Sequence, residues 1–381
     1  MNTIQYQVRL GQARPEDAER MALAVQEAKK AWRLSPPNPS VGAVIFKDGR
    51  LIGRGFTQRA GGPHAEIMAM RDADARGESL EGAEVYVTLE PCSHYGRTPP
   101  CALALIERKV KRVVAAILDP NPLVAGRGLR MLEEAGIEVV SGVMAEEARE
   151  VNIGFLTRMT RGTPWVRMKW AQTLDGRTAL PDGRSKWITG EQARMDGQYW
   201  RGRAGAVLTG IGTVLADDPQ MNVRLPDQAR QPLRVVLDPR LEMPLEAKLL
   251  RSEGGAVLIA AGAACGASPD EKVKQLEAAG AQVIRLPAPN DPGHVDLQAL
   301  LIELARREVN ELHVEAGERL NGAFLDAGLV DELLVYVAPC LFGAGMAPAA
   351  AAAPASPGQA RRWQVREVKT IGADVRMIFW R

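Results

Sequence analysis

An imidazole, a carboxylate and two thiols are spaced along the first third of the chain in a way that could hold a metal and use it. His64-Ala65-Glu66 supplies the imidazole and the carboxylate, and Cys92 and Cys101, each directly behind a proline (Pro91 and Pro100), supply the thiols. One imidazole and two thiolates make three zinc ligands. A catalytic zinc takes three protein ligands and leaves its fourth position for water, whose pKa it lowers to about 7. Glu66 is then placed to move protons, taking one as that water attacks a ring carbon and delivering it to the departing amine. Taken singly, a His-x-Glu triplet arises by chance and a cysteine at a strand end is an ordinary small core residue. The rival reading of the group is a structural zinc, which closes all four positions; only His94 could supply the fourth ligand, and such a site has no use for Glu66.

These side chains need rigid elements to aim them. Apolar residues from Pro15 to Trp32 recur at helical spacing, and Ser35-Pro36-Pro37-Asn38-Pro39 stops that helix in a loop. Val41–Phe46 and Leu51–Phe56 read as strands around Lys47-Asp48-Gly49-Arg50, whose Asp-Gly pair suits a tight hairpin. Ala65–Arg76 reads as a helix beginning just after His64, Glu84–Leu89 as a strand running into Pro91-Cys92, Ala102–Arg108 as a helix and Arg112–Ile117 as a strand. A second helix-and-strand unit ends near Val140 and a helix covers Ala145 to Asn152.

A boundary is expected between Gly154 and Thr163, giving domains of residues 1–158 and 159–381. Beyond it, strands are expected at Val166–Gln172, Ala206–Thr209, Arg234–Leu237, Val257–Ala260, Gln282–Leu286, Glu311–Val314 and Leu333–Ala338, mostly separated by helical patterns, which makes a second α/β domain. The alanine- and proline-rich run Met346–Pro357 reads as a loop, and Val365–Trp380 as an edge hairpin.

His64, Glu66, Cys92 and Cys101 match the zinc deaminase signature with one departure: eight residues, not two, separate the cysteines. The long form Pro91-Cys92-Ser93-His94-Tyr95-Gly96-Arg97-Thr98-Pro99-Pro100-Cys101, with Pro37-Asn38-Pro39-Ser40-Val41-Gly42 upstream, closely resembles the bifunctional riboflavin-biosynthesis deaminase/reductase family, and the match covers nearly the whole chain. The resemblance implies a cytidine-deaminase-like three-layer α/β/α domain followed by a dihydrofolate-reductase-like α/β domain, with zinc and NADPH as cofactors. It implies a substrate, 2,5-diamino-6-(5-phosphoribosylamino)pyrimidin-4-one, whose 2-amino group is replaced by oxygen. Reduction of the ribosyl group of 5-amino-6-(5-phosphoribosylamino)uracil to ribityl would follow. Asn38 would hold the ring, its amide offering donor and acceptor, unless it merely caps its loop; His94, Arg97 and Thr98 lie where a ribose phosphate could be met.

Read alone, the second half carries weaker signals. Lys169 lies on a strand that ends in the turn Asp175-Gly176, Gly210-Ile211-Gly212 follows an apolar strand without forming a dinucleotide fingerprint, and Glu315-Ala316-Gly317 leads from a strand into a helix whose free N–H groups could bind a phosphate. All are ordinary in α/β proteins. Leu174-Asp175-Gly176-Arg177-Thr178-Ala179, Trp187-Ile188-Thr189, Leu215-Ala216-Asp217-Asp218-Pro219 and Glu315-Ala316-Gly317 nevertheless resemble the family's reductase half. The resemblance implies NADPH contacts at Ala171, Trp187, Thr213, Asp217, the turn after Asp238 and the run Gly317, Glu318, Arg319, Leu320, Asn321, Gly322 and Ala323. It implies substrate contacts at Ser185, Arg201, Met221, Arg224 and Glu315. Arg201 and Arg224 could each grip a phosphate oxygen pair, if they are not plain surface arginines, and Lys169 and Asp175 are candidates to orient or protonate the substrate. The alanine and proline run departs from the family's pattern and is expected to leave part of the reductase rim disordered.

Composition narrows the alternatives. At 381 residues two cores are expected. The alternative is a deaminase of free nucleosides or tRNA joined to an unrelated module; a net charge of +2 and 5% aromatic residues argue against nucleic-acid editing. Four cysteines, at 92, 101, 265 and 340, make no disulfide framework. Met1 to Pro15 lacks the apolar stretch of a signal peptide, and no run of about 18 apolar residues exists to span a bilayer. The expectation is a cytoplasmic enzyme acting on a small molecule, without nucleic-acid or membrane partners, and, from the resemblance, a homo-oligomer.

Overall fold

Asp48 and Gly49 both take positive φ, 49° and 76°, the conformation of a two-residue hairpin turn whose twist suits the flanking strands. They join β1 (Gly42–Lys47) to β2 (Arg50–Phe56), after the helix α1 (Asp17–Lys30). In the computed structural model, which describes residues 11–93, 99–120, 125–263 and 269–381, the chain continues through α2 (Ala65–Ala75), β3 (Glu84–Val87), α3 (Cys101–Glu107), β4 (Arg112–Ala115), α4 (Arg127–Glu134), β5 (Glu138–Ser141), α5 (Ala145–Val151) and α6 (Ile153–Arg161). The strands form one sheet in the order β2-β1-β3-β4-β5, antiparallel at β2-β1-β3 and parallel from β3 to β5.

Glycines set how closely helices approach this sheet. A Cβ at Gly42 would stand 2.0 Å from Ala24 O of α1, and one at Gly55 would stand 2.4 Å from Ala69 N of α2. Gly55 pairs with Ala43, the neighbour of Gly42, so the two glycines point to opposite faces and the two helices flank the sheet as three layers. Ala65, Ala69 and Ala73 are fully buried along the α2 seam. At the sheet's lower edge Arg112 and Asp17, both 0% exposed, form an ion pair at 2.7 Å, joined by Tyr86 and Glu138.

The chain divides into two compact units, Met1–Arg161 and Gly162–Arg381; residues 158 and 159, the expected join, fall within α6. The second unit runs β6 (Trp165–Thr173), α7 (Glu191–Arg203), β7 (Ala206–Gly210), α8 (Ile211–Asp217), β8 (Leu233–Leu237), α9 (Lys248–Arg251), β9 (Val257–Ala261), α10 (Pro269–Ala278), β10 (Ala281–Arg285), β11 (Pro287–Ala288), β12 (Asp291–Val295), α11 (Leu297–Arg306), β13 (Glu311–Val314), α12 (Glu318–Asp326), β14 (Glu332–Ala338), β15 (Gln364–Ile371) and β16 (Asp374–Trp380). Its main sheet has the order β10-β9-β8-β7-β13-β6-β14-β16-β15, parallel from β10 to β14 and closed by the antiparallel β15–β16 hairpin. The small β11–β12 hairpin has no counterpart in the sequence reading.

The alanine and proline run is a loop, as expected, but not a disordered rim. Its main chain is pinned from Met346 to Ala352: Met346 N donates to Ala179 O, Pro348 O accepts from the Asn321 amide, Ala350 N donates to Glu318 O and Ala352 N donates to Asp326 Oδ1. Backbone groups satisfied in this way need no regular element.

Candidate active sites

His64 is the N-cap of α2 and Cys101 opens α3, so two of the three expected metal ligands stand at helix starts. His64 Nδ1 lies 3.5 Å from Cys92 Sγ and 3.4 Å from Cys101 Sγ, and all three ligand atoms lie within 4.8 Å of one another. A tetrahedral zinc with Zn–S of about 2.3 Å and Zn–N of about 2.0 Å separates such ligands by roughly 3.5 Å. The donor set and its spacing therefore fit zinc, bound through Nδ1. The Cys101 amide donates to Cys92 Sγ at 3.3 Å. The hydrogen bond with Cys101 holds the Cys92 thiol well below its usual range, burial opposing and His64 helping, while Cys101 is pushed up. Glu66, in the first turn of α2, is 3% exposed, and burial followed by the Cys92 charge pushes its carboxyl up to about 7.

Two further side chains shape this site and were not found from the sequence. Glu90, buried between β3 and Cys92, accepts hydrogen bonds from the amides of Asp119, Gly126, Gly128 and Leu129 and so ties the end of this segment to the start of α4; β3 itself ends at Val87, short of the expected Leu89. Asn152 Oδ1 accepts from Ser40 N at 2.8 Å and anchors the loop that carries Asn38. Glu90 could have been suspected as a charge at the end of an apolar strand; nothing local marks Asn152. His94, Arg97, Thr98 and Cys265 lie outside the described residues.

In the second unit, one cleft of about 400 Å3 gathers Lys169 and Tyr336 from the sheet, Glu315 beyond β13, Trp187 and Thr189 from the loop before α7, and Arg224. From α7 it receives Glu191, Arg194, Gln198 and Arg201, a helical face whose 3-4-3 spacing the sequence reading passed over. Four of the residues expected to touch ligand, Trp187, Arg201, Arg224 and Glu315, are thus brought together. Arg201 corrects one expectation. Its Nε and Nη2 donate to Glu315 at 2.8 and 2.9 Å and its Nη1 to Asn222 O at 2.7 Å, so its fork is engaged by a carboxylate and is not open to a phosphate. Arg224, exposed, donates its Nη1 to Asn222 Oδ1 and its main-chain amide to Gln198 Oε1, and no carboxylate engages its fork among the described residues.

Other expectations shift as well. Asp175 accepts from Thr173 Oγ1 and from the amides of Phe342 and Gly343, bonds led by Thr173 that hold its carboxyl down at about 2; it is a turn clamp and not a proton donor. Met221 is 4% exposed and packed in the core beside Val207 and Val214, so only its main chain could meet a ligand. Asp238 accepts from the amides of Glu242 and Met243 and builds the turn after β8. Ser185 does not line the cleft.

Of the expected cofactor residues, Thr213 and the run from Gly317 follow the adjoining carboxyl ends of β7 and β13. A Cβ at Gly317, the N-cap of α12, would lie 3.9 Å from Thr213 Oγ1, and one at Gly210 would lie 3.2 Å from Leu320 Cδ2, so α8 and α12 begin side by side. No side chain caps α12, and the buried Asn321 Oδ1 has no partner among the described residues. Asp217 pairs with Lys186 at 3.1 Å, beside Trp187, which is 69% exposed with Arg194 over its ring at 4.7 Å. Ala171 lies on β6 beside Tyr336, and Glu318, Arg319, Gly322 and Ala323 lie along the first turns of α12.

Residues 14–117 match the cytidine and deoxycytidylate deaminase zinc-binding region, and residues 164–377 match the RibD C-terminal domain. The riboflavin biosynthesis protein RibD of Aquifex aeolicus is 44% identical over 330 residues, 87% of this chain and 89% of that protein. The chain belongs to the RibD family. A solved RibD structure from Acinetobacter baumannii superposes with a TM-score of 0.85 at 42% identity, covering 96% of this chain and 98% of that one. The diaminohydroxyphosphoribosylaminopyrimidine deaminase/5-amino-6-(5-phosphoribosylamino)uracil reductase of Thermotoga maritima does so with 0.83 at 33% identity and the same coverage.

Membership in the RibD family makes the chain a riboflavin-biosynthesis enzyme with deaminase and reductase activities, a cytidine-deaminase-like unit preceding a dihydrofolate-reductase-like one. Zinc and NADPH are its cofactors. The paired helix starts capped by Gly210 and Gly317 fit a cofactor phosphate, because the first-turn N–H groups of a helix have no partner within it and can bind an anion. Among the described residues no helix is long and apolar enough to cross a membrane.

Proposed function

We propose that the unit Met1–Arg161 removes the 2-amino group of 2,5-diamino-6-(5-phosphoribosylamino)pyrimidin-4-one, and that Gly162–Arg381 reduces the ribosyl group of the resulting 5-amino-6-(5-phosphoribosylamino)uracil to ribityl. The observation that carries this reading is the trio His64, Cys92 and Cys101 closing around one metal position with the buried Glu66 carboxyl beside it. When bound, zinc supplies Lewis-acid activation of water and NADPH supplies hydride. Glu66 holds the proton at its carboxylate oxygen and moves it to the leaving amine nitrogen. Asn38, on its anchored loop, orients the pyrimidine edge.

In the cleft, Arg224 binds the phosphate, and Glu315 with Arg201 orients the opened sugar toward the cofactor residues Ala171, Trp187, Thr213, Asp217 and Gly317 to Ala323. Lys169, whose ammonium is pushed below its usual range by burial, holds the proton to be delivered at the sugar oxygen. Substrate contacts at Ser185 and at the Met221 main chain complete the proposal. The cytoplasm and a homo-oligomeric state belong to it as well, supported by a pair of free thiols held for a metal and by the family resemblance.

The test is to follow ammonia release and NADPH oxidation separately, with and without a zinc chelator. Ammonia release that needs zinc, with NADPH oxidation restored under chelation by supplying the aminouracil, is the expected result. Ammonia release indifferent to chelation refutes the zinc site, and no NADPH oxidation with the aminouracil refutes the reductase assignment.

A further inference from the structure

His313 is fully buried in the middle of β13, and neither of its ring nitrogens has a hydrogen bond of acceptable geometry among the described residues. An unpaired buried imidazole is costly where an apolar side chain would fill the same space freely. Its position gives it a use. Glu311 and His313 of β13, and Glu315 just past its end, alternate onto one face, and His313 is in register with Arg167 of β6. Below it lies a closed ion network: Arg167 binds Glu311 at 2.8 Å and Glu332 at 2.6 Å, and Arg203 binds Glu311 at 2.8 Å. Above it, His313 Nε2 lies 3.3 Å from Glu315 Oε1, the same oxygen that accepts from Arg201 Nε. Burial pushes the imidazole below its usual range, so it is neutral and carries a single N–H.

We propose that His313 is a positioning residue of the reductase cleft: its Nε2–H supports Glu315 from beneath and fixes the carboxylate that holds Arg201 and faces Lys169. Glu315 is then braced on two sides, by Arg201 across the cleft mouth and by His313 from the sheet. The 3.3 Å approach is long and poorly aligned, as catalytic hydrogen bonds often are before substrate draws them together. His313 itself touches neither substrate nor cofactor and acts only through Glu315. This inference rests on reading the cleft as the sugar-reducing site.

The test uses the full chain supplied with the aminouracil phosphoribosyl substrate and NADPH, with ammonia release from 2,5-diamino-6-(5-phosphoribosylamino)pyrimidin-4-one, assayed separately, as an internal control. His313→Leu should lower kcat for reduction roughly 10- to 100-fold, the cost of a small misplacement of a catalytic group, with KM for NADPH and ammonia release unchanged. His313→Gln, whose amide N–H can reach the same oxygen, should recover most of that loss. Wild-type reduction by His313→Leu overturns the proposal. So does a loss that His313→Gln fails to recover, or one shared with ammonia release, since either marks a plain packing role. If the wild-type chain itself oxidises no NADPH with this substrate, the reading of the cleft has failed and not the role of His313 within it.

Discussion

Glu66 and Arg201 show how far a residue's chemistry depends on what stands beside it. Glu66 is buried against two sulphurs and has one function open to it, moving a proton; Glu66→Gln keeps the shape and removes that function. Ammonia release should fall by about 10²- to 10⁴-fold, the usual worth of a general acid–base group, while metal analysis of the purified variant still finds zinc. Retained activity would reject the proton role. Arg201 was expected to hold a phosphate and instead forks onto Glu315. Its partner lies 114 residues away, so no local pattern could announce the pair. Arg201→Lys removes the fork but keeps the charge; NADPH oxidation should drop at least about tenfold, with ammonia release untouched. A simple phosphate anchor would tolerate lysine and show its loss mainly in KM.

At the scale of elements, strands were the most legible feature, because strands covered on both faces are written as short apolar runs. β7, β9 and β13 lie within a residue of their expected bounds. The zinc ligands were legible for another reason: their residue types are rare and their chemistry is shared. What could not be read is whatever depends on close approach in space, such as the seam where α2 lies on Gly53 and Gly55. Gly55→Ala should test that seam. The new Cβ would meet Ala69 N at 2.4 Å, so α2 must shift, at a cost of about 1–3 kcal/mol. Because α2 carries His64 and Glu66, ammonia release should fall with the melting temperature of the first unit while NADPH oxidation is preserved. The alanine and proline run is legible as a loop, but its order is not, since composition does not reveal hydrogen bonds made by the main chain.

For the whole molecule, two units with separate cores predict separable stabilities. The first is pinned by Asp17, whose carboxyl burial would raise but which Arg112 and the Arg14 amide hold down at about 2, against an ordinary value of 3.8. A folded-state pKa below the unfolded one means that the stabilisation is present above about pH 4 and is lost as pH falls toward 2. The shift is worth about 2 kcal/mol. Calorimetry from pH 5 down to pH 2 should show the transition of the first unit falling, and Asp17→Asn should flatten that dependence while lowering the melting temperature at pH 7. In the second unit the strap from Met346 to Ala352 is held through its own amide and carbonyl groups, not through its own side chains. Its path is therefore constrained while its spelling is free, and substitutions can accumulate there with little penalty. Replacing Ala349, Ala351 and Ala353 by serine should leave both activities intact. Gly322→Ala, which would set a Cβ 2.4 Å from Ala350 O, should displace the strap and raise KM for NADPH. Natural variation would drift through the strap and stop at the glycine beneath it.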